Sequence, residues 1–285
     1  MIRAARVAPE AVATVSRRTG WDLVGTTPLR FPTFHPQGMV DVGEFTFLSS
    51  VEVVESPTPY ATPASPGRGV GHLFVIDAVG ALVRDIVLGE GNMYHPGGID
   101  FDGVDLWVPV GEYRPAGHSL VLSVDPHTFA VTERFRVPDS IGWVIGDSAA
   151  GLVHGGNWGS RRFYTWSADG REHDRWQNPS SFVDYQDCQL AGPGYAICSG
   201  LAALPAPDGR EYELGGIATI DLVNHTIAHE TPIQLFSAAG HVVTRNPFTF
   251  SADDEGLLLR VAPDDGDEIN GTELLSYRPA HRSST

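Results

Sequence analysis

Two His–Glu pairs recur along the chain at one interval. His35 with Glu52 and His95 with Glu112 put both the two His and the two Glu 60 residues apart. Their contexts match as well, since His35-Pro36-Gln37-Gly38 opens one copy and His95-Pro96-Gly97-Gly98 the other. An imidazole beside a carboxylate moves protons near neutral pH, because the carboxylate orients the ring and stabilises its charged form. Such pairs suit lyase, isomerase or cyclase chemistry on a small organic molecule, as in secondary metabolism. The structural alternative is a His that bonds neighbouring backbone and a Glu that merely satisfies it.

Later segments widen the set. Gln37, Gln186, Asp187 and Asn246 fall at corresponding strand starts, and Asn157 falls at a strand end. Arg245 offers a planar fork for a substrate carboxylate or phosphate, or else an ion pair with Asp187 or Asp264. Tyr113 and Trp158 are placed to wall a mostly apolar pocket. Two imidazoles with carboxylates, Asn157 and Asp187 could also hold a divalent metal, although the ligand mix singles out no ion. A metal-activated water would then hydrolyse a lactone or ester, the second enzymatic option. The third reading is a non-catalytic ligand-binding or interaction protein.

These side chains meet only if the fold gathers them. After residue 20 the chain shows no strong amphipathic helix. It consists of short β-type runs split by turn signals, the pattern of an all-β sandwich or propeller. The two clearest copies each end in a strand pair, and Asp77 and Asp125 close the third strand, where a short carboxylate can bond backbone N–H groups two residues on. Three weaker copies start near residues 141, 187 and 246. The last of them lacks a fourth strand, while residues 21–29 form a strand without a sheet. Ring closure answers both, with the early strand completing the last blade and leaving no open pairing edge.

The expected fold is therefore an all-β, five-bladed β-propeller, one domain over residues 1–285. A six-bladed ring is the alternative if an insertion hides strands. The blades fall near 35–90, 95–138, 141–178, 183–235 and 245–278 plus 21–30, with residues 1–20 an arm or short helix opening at Pro9. Insertions at 56–69 and 201–213, rich in Pro, Ala and Gly, read as loops. Each His lies at the start of an innermost strand and each Glu at the end of the next. Each His should thus face its own Glu, at one mouth of the central channel.

Composition narrows the partners. A formal net charge of −16 and a pI near 4.9 disfavour nucleic acid and anionic membrane surfaces, leaving a small-molecule substrate. No apolar run approaches the roughly 18 residues of a membrane span. Residues 1–20 lack the apolar core of a signal peptide, so a cytoplasmic location is expected. The oligomeric state is left open. Of the two cysteines, Cys188 faces Cys198 if Leu190 faces Ala196 across the turn Gly192-Pro193-Gly194. In a cytosolic protein the expectation is two buried thiols rather than a redox bond. The acidic runs 253–255 and 264–268 read as solvated turns. The stretch 67–71 lacks the Lys of a phosphate loop, and 155–160 lacks the elbow of a nucleophilic Ser.

The segments His35-Pro36-Gln37-Gly38, Tyr94-His95-Pro96-Gly97-Gly98, Asn157-Trp158-Gly159-Ser160-Arg161, Tyr185-Gln186-Asp187-Cys188-Gln189 and Thr244-Arg245-Asn246-Pro247-Phe248 resemble a bacterial family of uncharacterised propeller-like proteins. That resemblance spans nearly the whole chain and implies no activity. More loosely, the architecture is similar to gluconolactonase-like and streptogramin-lyase-like propellers. Those place a metal and acid–base residues at the channel mouth, but with more blades and other ligand patterns.

Overall fold

The computed structural model describes residues 6–280; residues 1–5 and 281–285, which fall within the expected domain and arm, lie outside the described residues. Five sheets form the five blades of a β-propeller. Blade 1 comprises His35–Val42, Phe45–Glu55, Arg68–Ile76 and Leu82–Leu88. Blade 2 begins with a broken inner strand, Met93–Pro96 and Asp100–Phe101, followed by Leu106–Glu112, Ser119–Val124 and Val131–Val137. Blade 3 is Ile141–Asp147, Leu152–Asn157, Arg162–Ser167 and Glu172–Gln177. Blade 4 is Asp184–Leu190, Tyr195–Pro205, Glu211–Asp221 and Thr226–Ile233. Blade 5 takes Phe248–Asp253, Gly256–Val261 and Glu273–Pro279 from the end of the chain and Trp21–Pro28 from its beginning. The early strand runs antiparallel to the last, from Trp21 opposite Pro279 to Pro28 opposite Glu273, and this closes the ring. A short helix, Pro9–Val12, precedes it with Pro in its first turn.

Middle strands such as Leu106–Glu112 and Ser119–Val124 are buried at every position, so their apolar side chains pack on both faces, between blades rather than within them. The buried apolar clusters follow the five blade-to-blade junctions. Phe47 and Val108 join blades 1 and 2, Val121 and Trp166 blades 2 and 3, Trp143 and Leu190 blades 3 and 4. Ile217 and Phe248 join blades 4 and 5, where Val12 and Val15 of the N-terminal arm also pack; Phe74 and Leu274 join blades 5 and 1. Each junction buries several large side chains, each contributing about 1.5–3 kcal/mol. Tight turns serve the same registers. Asp77 accepts backbone N–H bonds from Val79 and Ala81, and Asp125 from His127 and Thr128, as their positions at strand ends predict.

At the axis one carboxylate ties the inner strands together. Asp187 of blade 4 is 1% exposed. Its oxygens accept N–H bonds from Met39 of blade 1 at 3.0 Å, Ile99 of blade 2 at 3.0 Å and Phe248 of blade 5 at 3.2 Å, besides its own neighbour Cys188. Blade 3 joins through Gly98 N to Gly142 O at 2.8 Å and Val144 N to Gly98 O at 3.1 Å. The approach is close enough that a Cβ on Gly98 would stand 2.7 Å from the Asp187 Cα, so only Gly fits there.

Two expectations are corrected. Residues 201–213 are no loop: Tyr195–Pro205 and Glu211–Asp221 pair along their whole length, so blade 4 carries a long hairpin beyond the ring. The cysteines are not free thiols. Cys188 does face Cys198, with Cα atoms 4.1 Å apart, and a disulfide joins them. The facing register was legible; the bond across it was not.

Asp187→Ala is expected to orphan several buried N–H donors at once. At about 1–3 kcal/mol for each unsatisfied group, a loss of at least about 3 kcal/mol is expected in urea unfolding. An unchanged midpoint would show that the axis holds without this carboxylate.

Candidate active site

At one mouth of the channel the inner strands of blades 1, 3 and 4 each begin with a β-bulge. The unpaired residues are Gln37, between Pro36 and Gly38; Gly142, between Ile141 and Trp143; and Gln186, between Tyr185 and Asp187. A bulge bends its strand and re-aims the extra residue, here toward the axis. Gln37, Gly142 and Gln186 all line a cavity of about 140 Å3. His35, His95, Glu112, Tyr113, Asn157 and Trp158 line it too, with Ser140, Ile141 and Tyr185. Eight residues singled out in the sequence therefore share one cavity, and the two His lie on the same face of the ring.

The expected His–Glu pairing is corrected. His35 lies opposite Val51, and His95 lies opposite Gly111, so the 60-residue repeat holds in the register itself. Each Glu is one residue beyond that partner. Neither Glu is therefore directly opposite its His in the ladder, although Glu112 still lines the cavity with His95. Glu52 instead faces His72, with Oε2 3.8 Å from Nε2. Glu112 receives Arg114 Nε at 2.5 Å and stands 3.6 Å from His118 Nδ1.

The carboxylate that His35 does find comes from blade 5. Its Nδ1 lies 2.6 Å from Asp265 Oδ1, with side chains 25% and 20% exposed. An ionised carboxylate only accepts, so Nδ1 carries the proton of this bond and Nε2 is the nitrogen left for other partners. Burial pushes the Asp265 carboxyl up, but the His35 bond and charge together with Arg245 more than reverse this and hold it below its ordinary value. Arg245 reaches Asp265 at 3.3 Å and the Pro263 carbonyl at 3.1 Å. Its partner is thus Asp265, neither Asp187 nor Asp264. The run 264–268 is likewise no solvated turn, because Glu268 accepts the Asp265 N–H at 2.8 Å and pairs with His241 at 2.7 Å. The signal in the sequence was the position of Asp265 at the second-strand exit of blade 5, matching Glu52 and Glu112.

His95 has a different environment. Its ring stacks on Tyr113 with centroids 4.3 Å apart, and Trp158 lies 6.3 Å away and nearly parallel. Its exposed part faces the cavity rather than open water. Burial first, then the nearby His35, push its pKa down to about 3. His95 is therefore neutral at physiological pH, able to donate through one nitrogen and accept through the other.

The remaining candidates divide. Asn157 lines the cavity but its amide is committed, giving Nδ2 to Asp139 at 3.3 Å and accepting Arg162 N at 2.8 Å. Gln37 donates to its neighbour's carbonyl, Pro36 O, at 3.0 Å, and Gln186 to Asp184 O at 3.4 Å; among the described residues neither Oε1 takes a donor. Asp187 serves the axis and not the cavity. Asn246 is 3% exposed, outside the cavity lining, with Nδ2 lacking a partner. Among the described residues no group of three His, Cys, Asp or Glu converges to hold a metal ion. No described helix is long and apolar enough to cross a membrane.

The pattern of a family described as of unknown function, DUF6454, matches residues 9–277. No curated protein matches the chain. Among solved structures it is similar to a tail fibre of Staphylococcus aureus phage P68, at TM-score 0.51 and 9% identity over 92% of this chain and 52% of that one. A chain of a nidogen/laminin complex gives TM-score 0.42 and 9% identity over 66% of this chain and 59% of that one. The chain thus spans just over half the length of each. A DUF4221 protein of Bacteroides vulgatus gives 0.41 and 11%, covering 93% of this chain and all of its own. At such identities the tail-fibre likeness speaks for the fold alone.

The state of His95 sets a pH dependence. In the unfolded chain it takes a proton near 6.5, in the folded protein only near 3. Acidification from about pH 7 to about pH 5 charges it in the unfolded chain alone, which costs stability. His95→Phe is expected to lose less stability than the wild type over that interval, read as the shift of the urea midpoint. An identical fall in both proteins would mean that His95 titrates at its ordinary value.

Proposed function

We propose that the chain, which belongs to the DUF6454 family, is an enzyme that moves a proton on a small organic molecule, of lyase, isomerase or cyclase type. The observation that carries this reading is the His35–Asp265 pair at 2.6 Å, in which Asp265 backs a His35 that lines one cavity with a neutral His95. In this reading His35 takes the substrate proton through Nε2. Asp265 fixes the ring's tautomer and stabilises the imidazolium that forms, as a buried carboxylate does for a general base. His95 donates a hydrogen bond to the oxygen on which charge develops, which a neutral imidazole can do without first losing a proton. Gln37 and Gln186, with uncommitted amide oxygens, orient the reacting group. The Tyr113 and Trp158 rings exclude water from one side. Burial pushes the Tyr113 hydroxyl up, so it stays protonated and serves as a donor.

Glu52 and Glu112 leave the proposed catalytic set, because their carboxylates meet His72 and Arg114 rather than His35 and His95. Asp265 replaces them. The partner remains a small molecule, in keeping with the cavity's size. The disulfide favours an oxidising compartment over the cytoplasm, where thiols are kept reduced.

Proton abstraction from carbon leaves deuterium behind when the reaction runs in heavy water. Purified protein incubated with a metabolite extract in D2O is expected to give products or substrates carrying deuterium, followed by mass spectrometry. His35→Gln and Asp265→Asn are each expected to slow that incorporation by roughly 10²–10⁴-fold, with melting temperatures near that of the wild type. If no metabolite gains deuterium or changes mass, or if His35→Gln works as fast, the chain is not an acid–base enzyme at this site.

A further inference from the structure

The cavity has room only for a small reacting group, about 140 Å3 against the roughly 300–1,000 Å3 of pockets that enclose whole ligands. A second hollow begins on the other side of His35. It is a groove of about 440 Å3 between blade 1 and the 264–268 turn of blade 5; His35 lines both spaces, and Asp265 lines the groove alone. Pro32, Phe34 and Val53 give it an apolar side, and Glu52 and Asp267 an acidic one.

The acidic side is not neutralised by the protein. Asp265 is committed to His35 and Arg245. Glu52, 39% exposed, has one polar side-chain neighbour among the described residues, His72 Nε2 at 3.8 Å, beyond hydrogen-bond length. His72 itself is 6% exposed, held between Phe34 and Phe74 with ring centroids 5.0 and 5.1 Å away. Its Nδ1 bonds Asp85 at 3.0 Å, and its Nε2, directed toward Glu52, has no hydrogen-bond partner among the described residues. A buried nitrogen and a carboxylate that stand 3.8 Å apart, too far to satisfy one another, both keep bonding capacity for a ligand. The formal net charge of −16 adds a field that draws cations to such a groove.

We propose that this groove is the subsite for a cationic, amine-bearing end of the substrate. The ammonium sits against Glu52 and Asp267, and its methylene spacer lies along Phe34 and Val53. The polar reacting group passes His35 into the cavity that it shares with His95. The placement of the reacting end rests on the proton-transfer reading; capture of the amine by the groove does not.

The probes are n-pentylamine, n-pentanol and pentanoate, titrated by NMR into the full chain and its variants. Pentylamine is expected to bind wild type, pentanol more weakly and pentanoate not at all. Glu52→Gln is expected to weaken pentylamine by about tenfold while leaving pentanol unchanged, and Glu52→Asp to restore part of the loss. Both changes sit on an exposed side chain, and a wild-type melting temperature confirms that each variant is folded. Pentanoate binding as tightly as the amine, or an unchanged amine affinity in Glu52→Gln, overturns the proposal. His35→Gln separates the two readings. Amine binding retained without any turnover in wild type sinks the enzyme alone, whereas His35-dependent turnover without amine binding sinks the groove alone.

Discussion

The whole arrangement hangs on the Asp187 carboxylate. Five sheets that touch mainly through side chains at their flanks have no backbone ladder between them, so the ring's centre would be a bundle of unpaired inner edges. Asp187 supplies acceptors there to blades 1, 2 and 5 from its place in blade 4, and Gly98 extends the connection to blade 3. Burial pushes this carboxyl well above its ordinary range, and the backbone donors pull the other way. The cost of desolvating the group is thus offset locally, by bonds that exist only when four blades are in place. The strand Trp21–Pro28 performs the complementary task at the rim, converting an open stack into a closed ring. Centre and rim together define where each inner strand begins, and that is what gives the mouth its fixed geometry.

What could be read in the sequence followed from periodicity. The 60-residue interval between His35 and His95 reappears as an identical register, His35 opposite Val51 and His95 opposite Gly111. The same reasoning placed the facing cysteines and the closing strand. What could not be read was of three kinds. One was register: an offset of a single residue takes Glu52 and Glu112 out of the positions opposite their His, and no composition signal marks such an offset. Another was contact across blades. Asp265 lies 230 positions from His35 in sequence, in a run whose acidity alone suggested solvent. Asp187 shows a third limit, since its position at a strand start was right while its depth along the axis was not visible. The bulge at Gln186 decides that depth, sending Gln186 to the cavity and Asp187 to the centre.

The bulges carry the further point that fold and site are one construction. In blades 1, 3 and 4 the extra residue sits at the same end of the inner strand, and it is Gln37, Gly142 and Gln186. Two amides and a glycine from three blades form one side of the cavity. Just beneath them the strands crowd together, so tightly that Gly38 has no room for a Cβ against Gly98 and Gly97 none against Gly142. The channel is therefore a cup and not a tunnel, closed below by backbone contact and the Asp187 bonds. Beside that cup, burial against Tyr113 and Trp158 is the main reason that His95 stays neutral, with the nearby His35 second.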